Sequence, residues 1–142
     1  MPYMPEGMPL PDTKDAFTKD WWAHCKNHEL VVQRCSDCGT FRHPPMPICH
    51  NCLSWKYEWH KVSGKGVVYS YTVPHYAAMA ILKARVPYNV VLVELADAGN
   101  IRMVGNLIDS TPHEDIHVGM PVEIAWEDVT DDLTLPQWKR AT

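Results

Sequence analysis

Residues 35–52 read CSDCGTFRHPPMPICHNC: two C-x-x-C pairs separated by ten residues, with three prolines in the gap. Two residues between paired cysteines let the backbone turn back so that both sulfurs face one ion. Cys35, Cys38, Cys49 and Cys52 then complete a tetrahedron of thiolates around one metal, with Zn²⁺ the expected ion, at about 2.3 Å per bond. Gly39 follows the second cysteine, where a positive φ would free backbone N–H groups to support the sulfurs. The gap is shorter than the roughly fifteen to twenty residues of one common pattern, so the loop must be compact, as its prolines suggest. Iron in a rubredoxin-like site is the chemical rival, although the chain shows no second redox centre. Four protein ligands leave no position for water or substrate, so such a site braces a fold and does not catalyse. His43 and His50 are near enough in sequence to replace a ligand, but with four thiolates at hand they read as surface or supporting residues.

Outward from this segment the chain reads mainly as β structure. Leu30 to Arg34 leads into the first metal turn as a short strand, Phe41 to His43 leads away, and Trp55 to Val62 alternates as a strand should. On the N-terminal side, Asp12 or Thr13 can cap a helix running to about Asn27. Phe17, Trp21 and Cys25 would form one apolar stripe on it, with Trp22 beside them. Cys25 belongs to that stripe and reads as a small buried hydrophobe. Met1 to Pro11 holds four prolines and reads as an extended arm, either frayed or laid on a partner.

The pattern breaks at Ser63-Gly64-Lys65-Gly66. Beyond it come four strand-like runs: Val67 to Val73, Tyr88 to Leu95, Ile101 to Leu107 and Pro121 to Asp128. Leu133 to Trp138 is a fifth that would close the sheet. Asp97-Ala98-Gly99-Asn100 suits a tight hairpin, and Ala77 to Arg85 is helix-like up to Pro87. Five strands with one intervening segment suit a small OB-type β-barrel. The expected units are an arm and helix over 1–28, a rubredoxin-like zinc ribbon over 29–62, and the OB-fold barrel over 63–142.

Charge disfavours a nucleic-acid partner. Net charge is −4, and between Met103 and Trp138 there are eight acidic residues and no Lys or Arg. Such a stretch repels phosphate backbones. OB folds and ribbons do serve as nucleic-acid modules, and Trp55, Tyr57, Trp59 and Tyr69 are the aromatics that would stack on bases; their competing role is in the ribbon core and against the barrel. No apolar run approaches the roughly eighteen residues needed to span a bilayer, and Met1 to Pro11 lacks the pattern of a signal peptide. Five cysteines, four of them paired in C-x-x-C units, fit metal binding in a reducing compartment, so a cytoplasmic location is expected. No G-x-S-x-G, G-x-G-x-x-G, P-loop or H-E-x-x-H is present, which argues for a binding or scaffolding protein. His75, His113 and His117 have no spacing that singles them out, and Glu94 reads as a partly exposed or locally paired carboxylate.

One family has these features in this order. A helix with Phe17-x-x-x-Trp21 precedes Leu30-Val31-Val32-Gln33-Arg34-Cys35-Ser36-Asp37-Cys38-Gly39, then a proline-rich link, a second C-x-x-C and the run from Trp59 to Ser70. Pro87-Tyr88, Gly119-Met120-Pro121-Val122 and Leu135-Pro136 complete the order. The chain resembles the acyl-CoA-associated zinc-ribbon/OB-fold proteins, long catalogued as a domain of unknown function, over nearly all its length after Pro11. It departs from them at Leu53, where a glycine often ends the second turn, and at Met46, where a basic residue is common; the latter puts a phosphate contact there in doubt. The resemblance implies structural zinc on the four cysteines and a non-catalytic small subunit. Its implied partner is a thiolase-like large subunit that carries the nucleophile, in a hetero-oligomer such as a heterotetramer. A coenzyme A ester would be the ligand of the complex, with 2-benzoylsuccinyl-CoA thiolase of anaerobic toluene degradation as the expected instance. For a CoA ester the segment from His75 to Tyr88 offers apolar side chains beside cations, with Tyr76, Lys83 and Arg85 the candidate contacts.

Overall fold

The computed structural model describes residues 3–109 and 113–142. A helix, α1 (Lys19–Lys26), precedes three short strands, β1 (Val31–Cys35), β2 (Phe41–Arg42) and β3 (Tyr57–Lys61). These strands make an antiparallel sheet in the order β2-β1-β3, which carries the metal turns at one end. Five further strands follow: β4 (Lys65–Thr72), β5 (Val90–Leu95), β6 (Ile101–Gly105), β7 (Pro121–Asp128) and β8 (Thr134–Arg140). Their order is β6-β5-β4-β7-β8. The sheet curls until its ends meet at one bridge, Leu107 with Trp138, where Trp138 N–H donates to the Asn106 carbonyl at 3.0 Å and Ile108 N–H to the Trp138 carbonyl at 2.9 Å. The expected class is therefore observed: mainly β, with one N-terminal helix, a ribbon and an OB-type barrel. No helix among the described residues is long and apolar enough to cross a membrane.

Alternation drives the barrel. Along β5, Val91, Val93 and Leu95 are buried while Val90, Leu92 and Glu94 turn outward, so one face of the strand supplies core at about 1.5–3 kcal/mol per fully buried aliphatic side chain. Trp138 and Met103 meet that face, and the same apolar cluster continues through Val62 and Val32 to Trp21 and Cys25. Ribbon, helix and barrel thus share one core. Trp21 adds a directional tie, its Nε1–H donating to the Val31 carbonyl at 2.9 Å.

Where the chain crosses from ribbon to barrel, space is the deciding factor. A Cβ on Gly64 would lie 2.5 Å from Ile124 Cγ2, with φ at +83°, and one on Gly66 would lie 2.5 Å from Val93 Cγ1 and 2.8 Å from the Glu94 carbonyl oxygen. Pairing of β4 with β7 ends at Val67, and the flanking bonds reach only Val68. One edge of residues 69–72 therefore has no strand partner among the described residues.

Three expectations are corrected in detail. The helix starts at Lys19, since the Asp12 and Asp15 carboxylates accept from Lys14 N–H and Phe17 N–H and so stabilise turns ahead of it. Phe17 accordingly falls off the stripe and is 54 % exposed, while Trp21 and Cys25 are buried. Trp55 lies outside the ribbon core at 67 % exposure. The helix-like segment from Ala77 to Arg85 makes only a 3-10 turn, Ala80–Leu82, in an otherwise irregular loop. The arm, for its part, lays Tyr3 on the chain's own barrel.

Candidate metal centre and neighbouring surfaces

Each C-x-x-C pair closes a small turn by the same two hydrogen bonds. In the first, Cys35 N–H donates to the Thr40 carbonyl and Gly39 N–H to the Cys35 carbonyl, both at 2.9 Å. In the second, Cys49 N–H donates to the Ser54 carbonyl and Leu53 N–H to the Cys49 carbonyl, again at 2.9 Å. Gly39 has φ +77° and its counterpart Leu53 has φ +63°, so the second turn forces a leucine into the left-handed region that glycine occupies freely.

These turns bring the four sulfurs within 4.8 Å of one another. Cys35 Sγ and Cys52 Sγ are 3.5 Å apart, Cys38 Sγ and Cys49 Sγ 3.7 Å. Disulfides are excluded at these distances, since a bonded pair lies near ~2.05 Å. A regular tetrahedron with metal–sulfur bonds of about 2.3 Å has edges of ~3.8 Å, close to the spacings seen. Charge favours the same occupant. The Thr40 side chain and backbone, with the Asn51 amide, draw the Cys38 thiol down to about 5. Cys35 is held below the usual thiol range, chiefly by the Cys38 backbone hydrogen bond. The Ser54 backbone favours the Cys52 thiolate, but the Cys35 thiol, burial, and the Cys38 and Cys49 sulfurs push Cys52 up to about 12. Four adjacent sulfurs cannot all ionise unless a cation sits among them. The donor set fits a structural divalent ion of zinc type with a closed coordination sphere.

Cys25 stands apart, and burial pushes its thiol up to about 12, which suits an inert core residue. His43 lies away from the sulfurs: its half-buried ring packs 5.3 Å from Trp21, and burial draws it down to about 4. Glu94 is paired with Arg102 at 3.3 Å, and the Arg102 guanidinium lies 3.6 Å over the Tyr69 ring. Of the residues expected to meet a CoA ester, Tyr76 is 83 % exposed and Lys83 is exposed. Arg85 instead turns inward, donating from Nε to the Tyr3 carbonyl with its guanidinium 4.2 Å over the Tyr3 ring.

Two features escaped sequence reasoning. One is a polar ring closing the barrel seam. Asn89, wholly buried, donates from Nδ2 to Tyr3 Oη and the Leu107 carbonyl and accepts from Leu107 N–H. Asn106 Nδ2 donates to the Asn89 carbonyl, and Gln137 Nε2 donates to both Asn106 Oδ1 and Glu127 Oε2. Glu127 Oε1 then accepts from Tyr3 N–H at 3.0 Å, which completes the circuit. The other is an apolar cleft of about 420 Å³ lined by Trp22, His43, Pro44, Val104, Pro136 and Gln137 among others. Its walls come from separated segments, so no local pattern announces either feature.

Two family descriptions match the chain: a ChsH2 rubredoxin-like zinc ribbon domain at residues 22–58 and a ChsH2 C-terminal OB-fold domain at 59–127. A DUF35 domain-containing scaffold protein of Methanocaldococcus jannaschii is 36% identical over 84% of this chain and 83% of its own length. A probable enoyl-CoA hydratase alpha subunit of Thermomonospora curvata is 40% identical over 85% of this chain. The aligned region spans only 36% of that relative's length. Among solved structures, a chain of an Ltp2-ChsH2(DUF35) aldolase superposes with a TM-score of 0.80 at 36% identity, covering 95% of this chain and 100% of that one.

Proposed function

Because the chain belongs to the ChsH2-type zinc-ribbon/OB-fold family, the DUF35 scaffold proteins, we propose that it is a zinc-bearing accessory subunit of an enzyme complex acting on acyl-CoA. The observation that carries this reading is the likeness to the aldolase-complex chain, which takes in nearly the whole of both molecules. In this reading Cys35, Cys38, Cys49 and Cys52 are the zinc ligands, and the metal braces the ribbon without meeting substrate. Catalysis belongs to a larger partner of thiolase or thiolase-like aldolase type, which makes or breaks a carbon–carbon bond. A substrate of aromatic degradation such as 2-benzoylsuccinyl-CoA is the finer form of the proposal. For the CoA ester, Tyr76 and Lys83 offer an exposed ring and cation on one loop, whereas Arg85 acts on that loop from within through Tyr3.

The test is co-expression with a thiolase-like protein encoded beside it, followed by size-exclusion chromatography and assay of acyl-CoA cleavage. A stable hetero-oligomer whose turnover depends on both chains is expected. A large subunit that is stable and fully active alone would overturn the proposal. Within the complex, Lys83→Ala should raise the KM for the CoA ester and leave kcat nearly unchanged; no change in KM would remove the loop from CoA binding.

A further inference from the structure

Tyr3 is only 8 % exposed, although Met4 to Pro11 run over the surface as exposed or half-buried residues. The phenol oxygen accepts from Asn89 N–H at 2.9 Å and from Asn89 Nδ2 at 2.7 Å. Its backbone N–H donates to Glu127, its carbonyl accepts from Arg85, and the Arg85 guanidinium covers the ring. Among the described residues, no backbone group from Met4 to Asp12 hydrogen-bonds to the rest of the chain. Pro5, Pro9 and Pro11 lack the donor altogether. The arm is held at Tyr3 and otherwise only crosses the surface. One crossing is close: Gly7 turns at φ +90°, and a Cβ there would lie 2.8 Å from Ile81 Cδ1.

Arg85 and Ile81 belong to the same loop. From Pro74 to Tyr88 the backbone–backbone hydrogen bonds stay inside it, closing Tyr88 on Pro74 and building the turn around Ala80–Leu82. Among the described residues, the one side chain from elsewhere besides Tyr3 that bonds to it is His113, whose Nε2 lies 3.1 Å from the Pro87 carbonyl oxygen. The sheet therefore gives this loop little support, and Tyr3 and Gly7 touch it from outside. A segment with few buried contacts and no ladder bonds opens at low free energy unless something holds it.

We propose that the end of the barrel is a peptide-binding socket for an extended, proline-rich segment presenting a tyrosine. The chain's own arm from Tyr3 to Asp12 is its tethered ligand, and occupancy orders the loop from Pro74 to Tyr88. The chemistry is that of a built site. Asn89 supplies two donors to the phenol, Glu127 takes the backbone N–H, and a guanidinium stacks on the ring. Prolines keep the arm extended when free, so less conformational freedom is lost on binding. The socket stands whether or not the loop meets a CoA ester.

Amide hydrogen exchange on the full-length chain tests this. Tyr3→Ala and, separately, Gly7→Val should each speed exchange across residues 75–88 about tenfold or more while leaving strand Val31–Cys35 within about twofold. A synthetic peptide of residues 3–12 added to the Tyr3→Ala protein should restore protection, and the same peptide with alanine at the tyrosine position should not. Unchanged loop exchange in both variants overturns the proposal. So does an equal rise in Val31–Cys35 in both, or equal behaviour of the two peptides. Should Tyr3→Ala unfold throughout, Gly7→Val decides alone, because it alters the path of the arm and leaves the socket side chains intact.

Discussion

Leu53 and His43 show how much a single residue costs or governs here. Leu53 repeats the position of Gly39 in the second metal turn, yet carries a side chain at φ +63° and leaves it 73% exposed. A left-handed backbone costs an L-residue about 1 kcal/mol, more than the extra chain entropy that glycine brings. Leu53→Gly should therefore raise unfolding stability by about 0.5–1 kcal/mol, read from the denaturant midpoint. His43 is drawn from 6.5 to about 4 by burial, so the folded state disfavours its proton. Its contribution to stability is complete above about 6.5 and is lost progressively as pH falls toward about 4. Wild type should lose stability over that window more steeply than His43→Phe; parallel slopes would contradict it. Comparing the two cancels any acid-driven loss of metal.

Elements were legible in the sequence to the extent that their causes are local. The metal turns follow from cysteine spacing, β5 from its alternation, and β7 was placed at Pro121–Asp128 as observed. The helix boundary was missed because Asp12 and Asp15 bond to turns whose residues look like a helix start. Ala77 to Arg85 has helical composition, but its ends are fixed by the loop closure of Tyr88 on Pro74 and by contacts with the arm. Asn89, Asn106, Gln137 and Tyr3 were silent because their partners lie far along the chain. Between elements, Gly64 is a close test of the fold: its Cβ would meet Ile124 Cγ2 at 2.5 Å with φ at +83°. Gly64→Ala should cost about 2–4 kcal/mol by thermal or chemical unfolding. A neutral result would mean that β4 and β7 separate easily at this corner.

For the whole molecule, the shared core decides how metal loss spreads. Val31 and Val32 pack with Trp21 and the barrel, whereas the two cysteine turns, 35–40 and 49–54, close on their own backbone bonds. Treating the protein with a chelator should raise exchange by orders of magnitude at 36–54 and far less in β5. A uniform rise throughout the chain would show that ribbon and barrel unfold as one unit.

The edge of β4 beyond Val68, which has no strand partner among the described residues, bears on how the isolated chain behaves at high concentration. Residues 69–72 present backbone donors and acceptors along one side, flanked by exposed Tyr69 and Tyr71, and nothing charged guards them in sequence between Lys65 and Lys83. Open edges of this kind recruit further strands. The protein purified alone should therefore self-associate as it is concentrated, and light scattering should fall when Tyr71 is replaced by lysine, a gatekeeper charge at the exposed rim.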